Sequence, residues 1–419
     1  MEFFNLSKPG DAVSRYMRLL SPAERPHEAC DIFSAAGRVL AKDVAVWLDV
    51  PSFDRSTVDG YAVRAKDTFG ATETTPALFL VSGEVSMGQR AEGHIEVGQA
   101  FRIPTGGMLP AGADSAVMVE YTEILGEGTI AVVKDVAPGE NVIRRGEDLA
   151  KGEVLLERGR RLNAQDVGAL AALGTVTVPV FERPLVSVIS TGNEIVAPGV
   201  EPGPGQVRDI NGPALVAAVS MSGCRARFAG VFSDDFEALL GACREEIAAG
   251  ASALVMSGGS SVGLEDLTPR VFNAMGEPGV LIHGLALRPG KPTILGLAGS
   301  TPVFGLPGHP ASALIVFEIV IKPLLRALGG ECGETIAASA QRQPSVKAVL
   351  ERNLSSEPGR EEHVRVRLVG REGRLYARPV LGKSGLISTL VRADGTVRIP
   401  EESGGFEAGQ VVDVYVWQL

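Results

Sequence analysis

The chain of 419 residues carries 40 Lys and Arg against 50 Asp and Glu, a formal charge of −10, with 45% apolar and 21% charged residues. That balance excludes a disordered chain and supplies several cores, about two to four domains at roughly 100–200 residues each. An acidic total argues against nucleic acid as the main partner, which demands a dense basic face, but leaves room for small anions held by local positive groups. Cys30, Cys224, Cys243 and Cys332 show no CxxC spacing, so neither a zinc knuckle nor a disulfide framework is expected. The first 20 residues hold Lys8, Asp11, Arg15 and Arg18 without an apolar segment, and the most apolar stretch, residues 311–328, is interrupted by Glu318 and Lys322. The expectation is a soluble, cytoplasmic protein without a membrane span.

In chain order, helical spacing is expected over residues 12–20 and 29–39. Residues 46–136 change to short β-branched runs broken by glycine, at 77–81, 99–103, 116–121 and 129–134. A helix returns at 164–173, ended by Gly174 as its C′ residue, and is expected to pack with the N-terminal segment. The implied arrangement is a mixed, largely helical domain of residues 1–45 and 137–180, with a β-rich domain inserted at 46–136.

From residue 183 buried strands alternate with helices. Strand 185–190 is followed by helix 212–222 with Asn211 as N-cap; strand 227–232 is followed by helix 236–249 with Ser233 as cap. Strand 253–257, helix 268–275, strands 280–287 and 293–297, and strand 303–306 with a long helix complete the series. Such alternation predicts a mainly parallel α/β domain over residues 181–330. Period-two alternation at Val364, Val366 and Leu368, and again around Val411, Val412 and Val414, predicts a C-terminal β-barrel over 331–419. The fold class is thus α/β, multidomain.

Ligands of open α/β sheets lie beyond the carboxyl ends of the strands. Loops leave such ends at Ser190-Thr191-Gly192-Asn193-Glu194, at Ser233-Asp234-Asp235, at 257–263 (SGGSSVG) and at Gly305-Leu306-Pro307-Gly308-His309. One glycine loop after a strand is usually only a turn. Three rich in Gly, Ser or Thr on one rim, each before a helix N-terminus, predict an anionic and phosphorylated ligand. Glu194, Asp209, Asp234, Asp235 and Asp266 share this rim. Each could simply cap a helix, but acids converging on phosphate loops require a divalent cation, and magnesium suits mixed carboxylate, phosphate and water oxygens. Arg288-Pro289-Gly290-Lys291-Pro292 puts two cations on a stiff connection, either a solvated tip or an oxyanion clamp. The five histidines show no metal spacing.

These segments together resemble the molybdopterin molybdenumtransferase family, the MoeA and gephyrin E-domain proteins. The resemblance rests on residues 52–64 (SFDRSTVDGYAVR), 102–107 (RIPTGG), 144–148 (RRGED), 190–194 (STGNE), 257–266 (SGGSSVGLED), 288–292 (RPGKP) and 305–310 (GLPGHP), in order over most of the chain. It implies a four-domain homodimer whose cleft is completed by N-terminal segments of the partner subunit. It also implies conversion of adenylylated molybdopterin and molybdate into molybdenum cofactor and AMP with Mg2+, and hand-over of the product to molybdoenzymes or other cofactor-biosynthesis proteins. Carried across, Asp59, Thr105 and Asp148 line the cleft from the N-terminal domains. Glu194, Asp234 and Asp266 are the catalytic and metal-binding acids. Thr191, Gly192, Ser257, Gly258, Gly259, Ser260, Ser261, Pro307 and Gly308 cradle the ligand, Arg288 and Lys291 meet molybdate, and Ser388 of the barrel completes that pocket. Asn193 stands where many members have Asp, His309 where Asn is commoner, and Asp266 precedes Leu267-Thr268-Pro269-Arg270 rather than an aromatic-Thr-x-Lys pattern.

The implied chemistry has an electrostatic problem: two anions about 4 Å apart repel by about 4 kcal/mol per unit-charge pair at an effective dielectric near 20. Three other readings are open from the residues: a molybdopterin adenylyltransferase of the preceding step, a non-catalytic gephyrin-like scaffold, and a dinucleotide-dependent oxidoreductase. The last lacks an early G-x-G-x-x-G.

Overall fold

The computed structural model describes residues 6–20, 25–258, 267–333, 336 and 345–417. Gly259, Ser260, Ser261 and Asp266 lie outside the described residues. Helix Pro9–Leu19 opens with Pro at its first position and Asp11 in its first turn, and closes with Arg18. Its buried Ala12 and Tyr16 enter the core of the α/β unit: Tyr16 packs its ring 5.6 Å from Phe304 and donates its hydroxyl to Gly296 O. This helix therefore packs with residues 183–330, not with the segment 137–180.

The helical spacing of residues 29–39 is overridden. Strand His27–Asp31 pairs antiparallel with Thr177–Phe181 over five residues, and only the single 3-10 turn Ile32–Ser34 follows, capped by Asp31 Oδ1 accepting from Phe33 N. Cys30, Ile32, Leu40, Leu170, Val178 and Val180 share one core there, so the apolar positions are met by a ladder and a turn. Strand Val44–Ala45 pairs with Val154–Leu156. Helix Ala164–Ala172 starts with a reciprocal capping box between Asn163 and Asp166 and ends before Gly174, whose φ of +71° is left-handed.

Between these pairs runs a six-stranded sheet ordered Ser115–Met118, Gly60–Val63, Gln99–Ile103, Ala77–Glu84, Thr129–Val132, Thr122–Gly126. Alternation along Gly60–Val63 sends Tyr61 and Val63 into one core and Ala62 into another.

The α/β sheet is ordered Arg225–Phe232, Leu185–Thr191, Ala253–Ser257, Thr301–Leu306, Ile294–Ala298, Pro278–His283. The first four strands are parallel; Ile294–Ala298 runs against them and pairs antiparallel on both sides, so Pro278–His283 runs in the direction of the first four. Helix Asn211–Met221 and the continuous helical run 310–328 join helix Pro9–Leu19 in one core; Phe236–Ala248 and Leu267–Ala274 build the other. Both expected caps are corrected. Asn211 lies inside its helix, and Asp209 Oδ1 accepts from Gly212 N instead; Asp235, not Ser233, accepts from Ala238 N. The run 310–328 contains a π-helical turn, Phe317–Ile321, and is largely buried. Among the described residues no helix is long and apolar enough to cross a membrane.

The segment expected as one strand, 280–287, divides into Pro278–His283 and the pair Leu287–Arg288, which joins the C-terminal sheet beside Glu361–Arg371. In that sheet Gly395–Ile399 pairs back onto Glu361–Arg371, closing a barrel of five strands with Arg374–Pro379, Ser345–Leu350 and Val411–Val416. At the joint between the units, buried Glu331 accepts from both Arg161 Nε (3.1 Å) and Arg326 Nε (2.8 Å), while Arg161 also donates to Gly37 O and Ser222 O.

Candidate active site at the carboxyl edge of the α/β sheet

The four parallel strands end at Thr191, Phe232, Ser257 and Leu306 on one edge. Thr191, buried, donates from Oγ1 to Asp234 Oδ1 at 2.7 Å, and Asn193 Oδ1 accepts from the Asp234 amide at 3.1 Å. Two strand-end loops are thereby laced at Asp234, and the Asn193 contact needs only an acceptor oxygen, which Asp would also supply. Glycine is required at two positions. A Cβ on Gly258, at φ +112°, would lie 2.0 Å from Thr191 O, and one on Gly192, at φ +155°, would lie 2.7 Å from Ile195 Cγ1 and 3.0 Å from Glu194 Oε2. Glu194 and Asp234 are both exposed on this rim.

Asn211 supplies the link that the sequence reading misplaced as a cap. Its Nδ2 donates to Ser257 Oγ at 2.7 Å and to Gly308 O at 2.8 Å, tying three loops together. Beside it, Ser190 Oγ, Asp209 Oδ2 and Asn211 Oδ1 are buried without a hydrogen-bond partner among the described residues. A Cβ on Gly212 would fall 2.3 Å from Asp209 Oδ2 and 2.9 Å from Ser190 Oγ, so only glycine lets the helix start pack this closely on these polar atoms. Buried polar atoms left unpaired carry a cost in stability. The sequence signal for Asn211 was a polar residue opening an otherwise apolar helix, and it reads equally as a cap.

The rim is met from a second side by the barrel. Ser384 Oγ lies 2.9 Å from His309 Nδ1, and Ala311 N donates to Ser384 O at 3.1 Å. Half-buried Arg365 donates from Nη2 to Gly382 O on the same loop, while its Nε and Nη1 have no partner among the described residues; burial lowers its pKa from the usual guanidinium value. Among the described residues the barrel serine in hydrogen-bond contact with the rim is therefore Ser384. Ser388 is exposed at the start of the short helix Ser388–Val391. Pro307 is buried and Gly308 exposed on the facing loop. Arg288 is half-exposed and ion-paired with barrel carboxylates, Glu362 at 3.6 Å and Glu357 at 3.8 Å, across the seam. Lys291 is half-buried on the same connection.

The N-terminal motif residues assemble separately. Asp59 Oδ1 accepts from Thr105 N at 2.8 Å; Gly106 N donates to Ser56 O; Arg145 N donates to Asp54 Oδ1; and Asp148 N donates to Val50 O. Three distant motifs thus form one lobe with Asp59, Thr105 and Asp148 exposed. Among the described residues no hydrogen bond or ion pair joins those three side chains to the α/β rim. Nor does any group of three His, Cys, Asp or Glu residues gather in metal-binding reach among them.

Comparison with known proteins assigns this arrangement. Residues 8–174 match the MoeA N-terminal region (domain I and II), residues 187–327 a "Probable molybdopterin binding domain", and residues 347–417 the MoeA C-terminal region (domain IV). The chain is 34% identical over 413 residues to molybdopterin molybdenumtransferase 2 of Mycobacterium tuberculosis, covering 97% of both chains. The chain belongs to the MoeA family. It is also 33% identical over 382 residues to the molybdopterin molybdenumtransferase of Bacillus subtilis, covering 90% of this chain and 86% of that one. A solved molybdopterin biosynthesis MoeA protein from Pyrococcus horikoshii superposes with a TM-score of 0.81 at 32% identity, covering 99% of this chain and all of that one. Within this MoeA-family chain, the laced rim from Ser190 to Gly308 falls wholly inside the molybdopterin-binding match, and the Ser384 loop inside domain IV.

Proposed function

We propose that the chain is a molybdopterin molybdenumtransferase, which inserts molybdate into adenylylated molybdopterin and releases AMP. The observation that carries this reading is the rim where Asn211 ties Ser257 to Gly308, beside three buried polar atoms that have no partner among the described residues. A pterin ring presents several N–H donors, and the glycine loops leave backbone close to the space a phosphate would take. The match to molybdenumtransferases runs through all four regions rather than the α/β domain alone, which does not favour the adenylyltransferase of the preceding step.

Glu194, Asp234 and Asp266 are the proposed holders of magnesium. The two described acids are exposed carboxylates on adjoining loops, hard oxygen donors that fit such an ion. When bound, it would offset charge on the phosphoanhydride during its cleavage. The chain's own part is to position two anions and stabilise charge as molybdate oxygen is replaced by pterin sulfur. Arg288, which also pairs with Glu357 and Glu362, and Lys291 are the cations assigned to molybdate. A soluble homodimer, in which the Asp59–Thr105–Asp148 lobe faces the partner's rim, is part of the same proposal, as are a cytoplasmic setting and hand-over of the product to molybdoenzymes.

Purified protein with adenylylated molybdopterin, molybdate and magnesium should yield cofactor and AMP, whereas ATP with molybdopterin should yield no adenylylated pterin. Formation of that pterin from ATP would reverse the assignment. Lys291→Ala should raise the KM for molybdate by about tenfold or more and the KM for the pterin far less; equal losses would remove Lys291 from the molybdate site.

A further inference from the structure

We propose that His309 is a positioning residue that fastens the barrel loop 382–386 to the α/β rim through its Nδ1 atom alone; this deepens the molybdenumtransferase reading and rests on it. Three contacts define the geometry. His309 Nδ1 lies 2.9 Å from Ser384 Oγ, the backbone of the same serine accepts from Ala311 N at 3.1 Å, and His309 Cδ2 lies 3.8 Å from where a Cβ on Gly385 would stand. The imidazole is thus seated against the loop, on the residue next to Gly308, whose carbonyl is held by Asn211. Asn211 fixes the rim side of the gap between the α/β unit and the barrel; His309 fixes the barrel side.

The atom involved explains how histidine can stand where asparagine is commoner. Nδ1 is bonded to Cγ, as are Oδ1 and Nδ2 of asparagine, so all three lie the same number of bonds from the backbone. The Ser384 hydroxyl both donates and accepts, so it can pair with an imidazole nitrogen in either tautomer or with either atom of a carboxamide. Nε2 lies one bond farther out, where the polar atoms of glutamine would be. The contact therefore requires a polar atom at the δ position, and ring chemistry is dispensable. Loosening it frees the barrel loop while leaving the Asn211–Ser257–Gly308 tie intact, so the effect falls on the substrate held between barrel and rim and not on the pterin.

Steady-state kinetics of the full-length protein should show His309→Ala and His309→Gln raising the KM for molybdate about three- to tenfold, the scale of one hydrogen bond. The KM for adenylylated molybdopterin and kcat at saturating molybdate should stay within about twofold. His309→Asn should restore wild-type behaviour, and Ser384→Ala combined with His309→Ala should be no worse than either alone. Rescue by Gln as good as by Asn, additive losses, or an unchanged His309→Ala would each overturn the proposal. Hydrogen exchange needs no substrate: the Ala311 amide should exchange faster in His309→Ala and as in wild type in His309→Asn, and equal rates in all three would overturn the fastening. Wild-type protein inactive on these substrates would instead refute the molybdenumtransferase reading, and the exchange result would still decide the role of His309.

Discussion

One carboxamide nitrogen on Asn211 serves two acceptors from two different strand-end loops, Ser257 Oγ and Gly308 O. Replacing Asn211 by Ala leaves both acceptors without that donor, in a neighbourhood where Ser190 Oγ and Asp209 Oδ2 have no partner among the described residues. The expected cost is about 1–3 kcal/mol of stability, read as a lower urea midpoint at unchanged slope, together with loss of pterin retention in equilibrium dialysis. Retained pterin at a lowered midpoint would make Asn211 merely structural. Residue identity announced some of this rim and hid the rest. Thr191, Gly192, Ser257, Gly258 and Gly308 were legible as rim residues because several Gly-, Ser- or Thr-rich loops leave strand ends on one edge, where a single such loop is usually only a turn. Asn211 was not, because Asn at a helix start satisfies the capping rule in sequence, and only the tertiary positions of Ser257 and Gly308 draw its amide away. Ser384 and Ser388 are likewise indistinguishable as letters; the closure of the barrel decides which one meets the rim.

At the scale of elements, strand Glu361–Arg371 couples the barrel to the α/β unit, since Leu287–Arg288 adds to its edge and Arg288 pairs with Glu362. Glu361, on the same strand, is largely buried. Burial opposes its charge, but His363 at 2.8 Å and Arg398 at 2.9 Å prevail and hold its carboxyl below the usual carboxylate range. A carboxylate with a lowered folded-state pKa contributes stability that is full above its unfolded value and lost as pH falls through the folded one. The gap in melting temperature between wild type and Glu361→Gln should therefore close as the pH drops below 4.5, the ordinary glutamate value. A gap that widens on acidification would contradict this pairing. Element type was legible wherever period and caps agreed, as in helix Ala164–Ala172 with its Asn163–Asp166 box. It failed at residues 29–39, where apolar spacing compatible with a helix is consumed by pairing with Thr177–Phe181. A partner about 150 residues away outweighs local propensity there.

For the whole molecule, the division of labour between lobes sets the last expectation. Asp59 and Thr105 are joined to each other, and among the described residues no hydrogen bond or ion pair ties them to the rim of their own chain. If two chains exchange these lobes, mixing Asp59→Asn with Lys291→Ala protein, assayed at molybdate well below the raised KM of the latter, should restore about a quarter of wild-type sites, since half the dimers are mixed and each holds one intact cleft. No recovery after subunit exchange would place the complete cleft within one chain. Most of the alternation of strands and helices in the α/β unit, the turn glycines and the family motifs follow from the sequence alone, because backbone sterics and hydrophobic period act over a few residues. Which barrel serine meets His309, where Asn211 sends its amide, the packing of helix Pro9–Leu19 on the α/β sheet and the pairing of Arg288 with the barrel follow only from tertiary structure. Each joins residues far apart in the chain, and their energies exist only once the surrounding cores have excluded water.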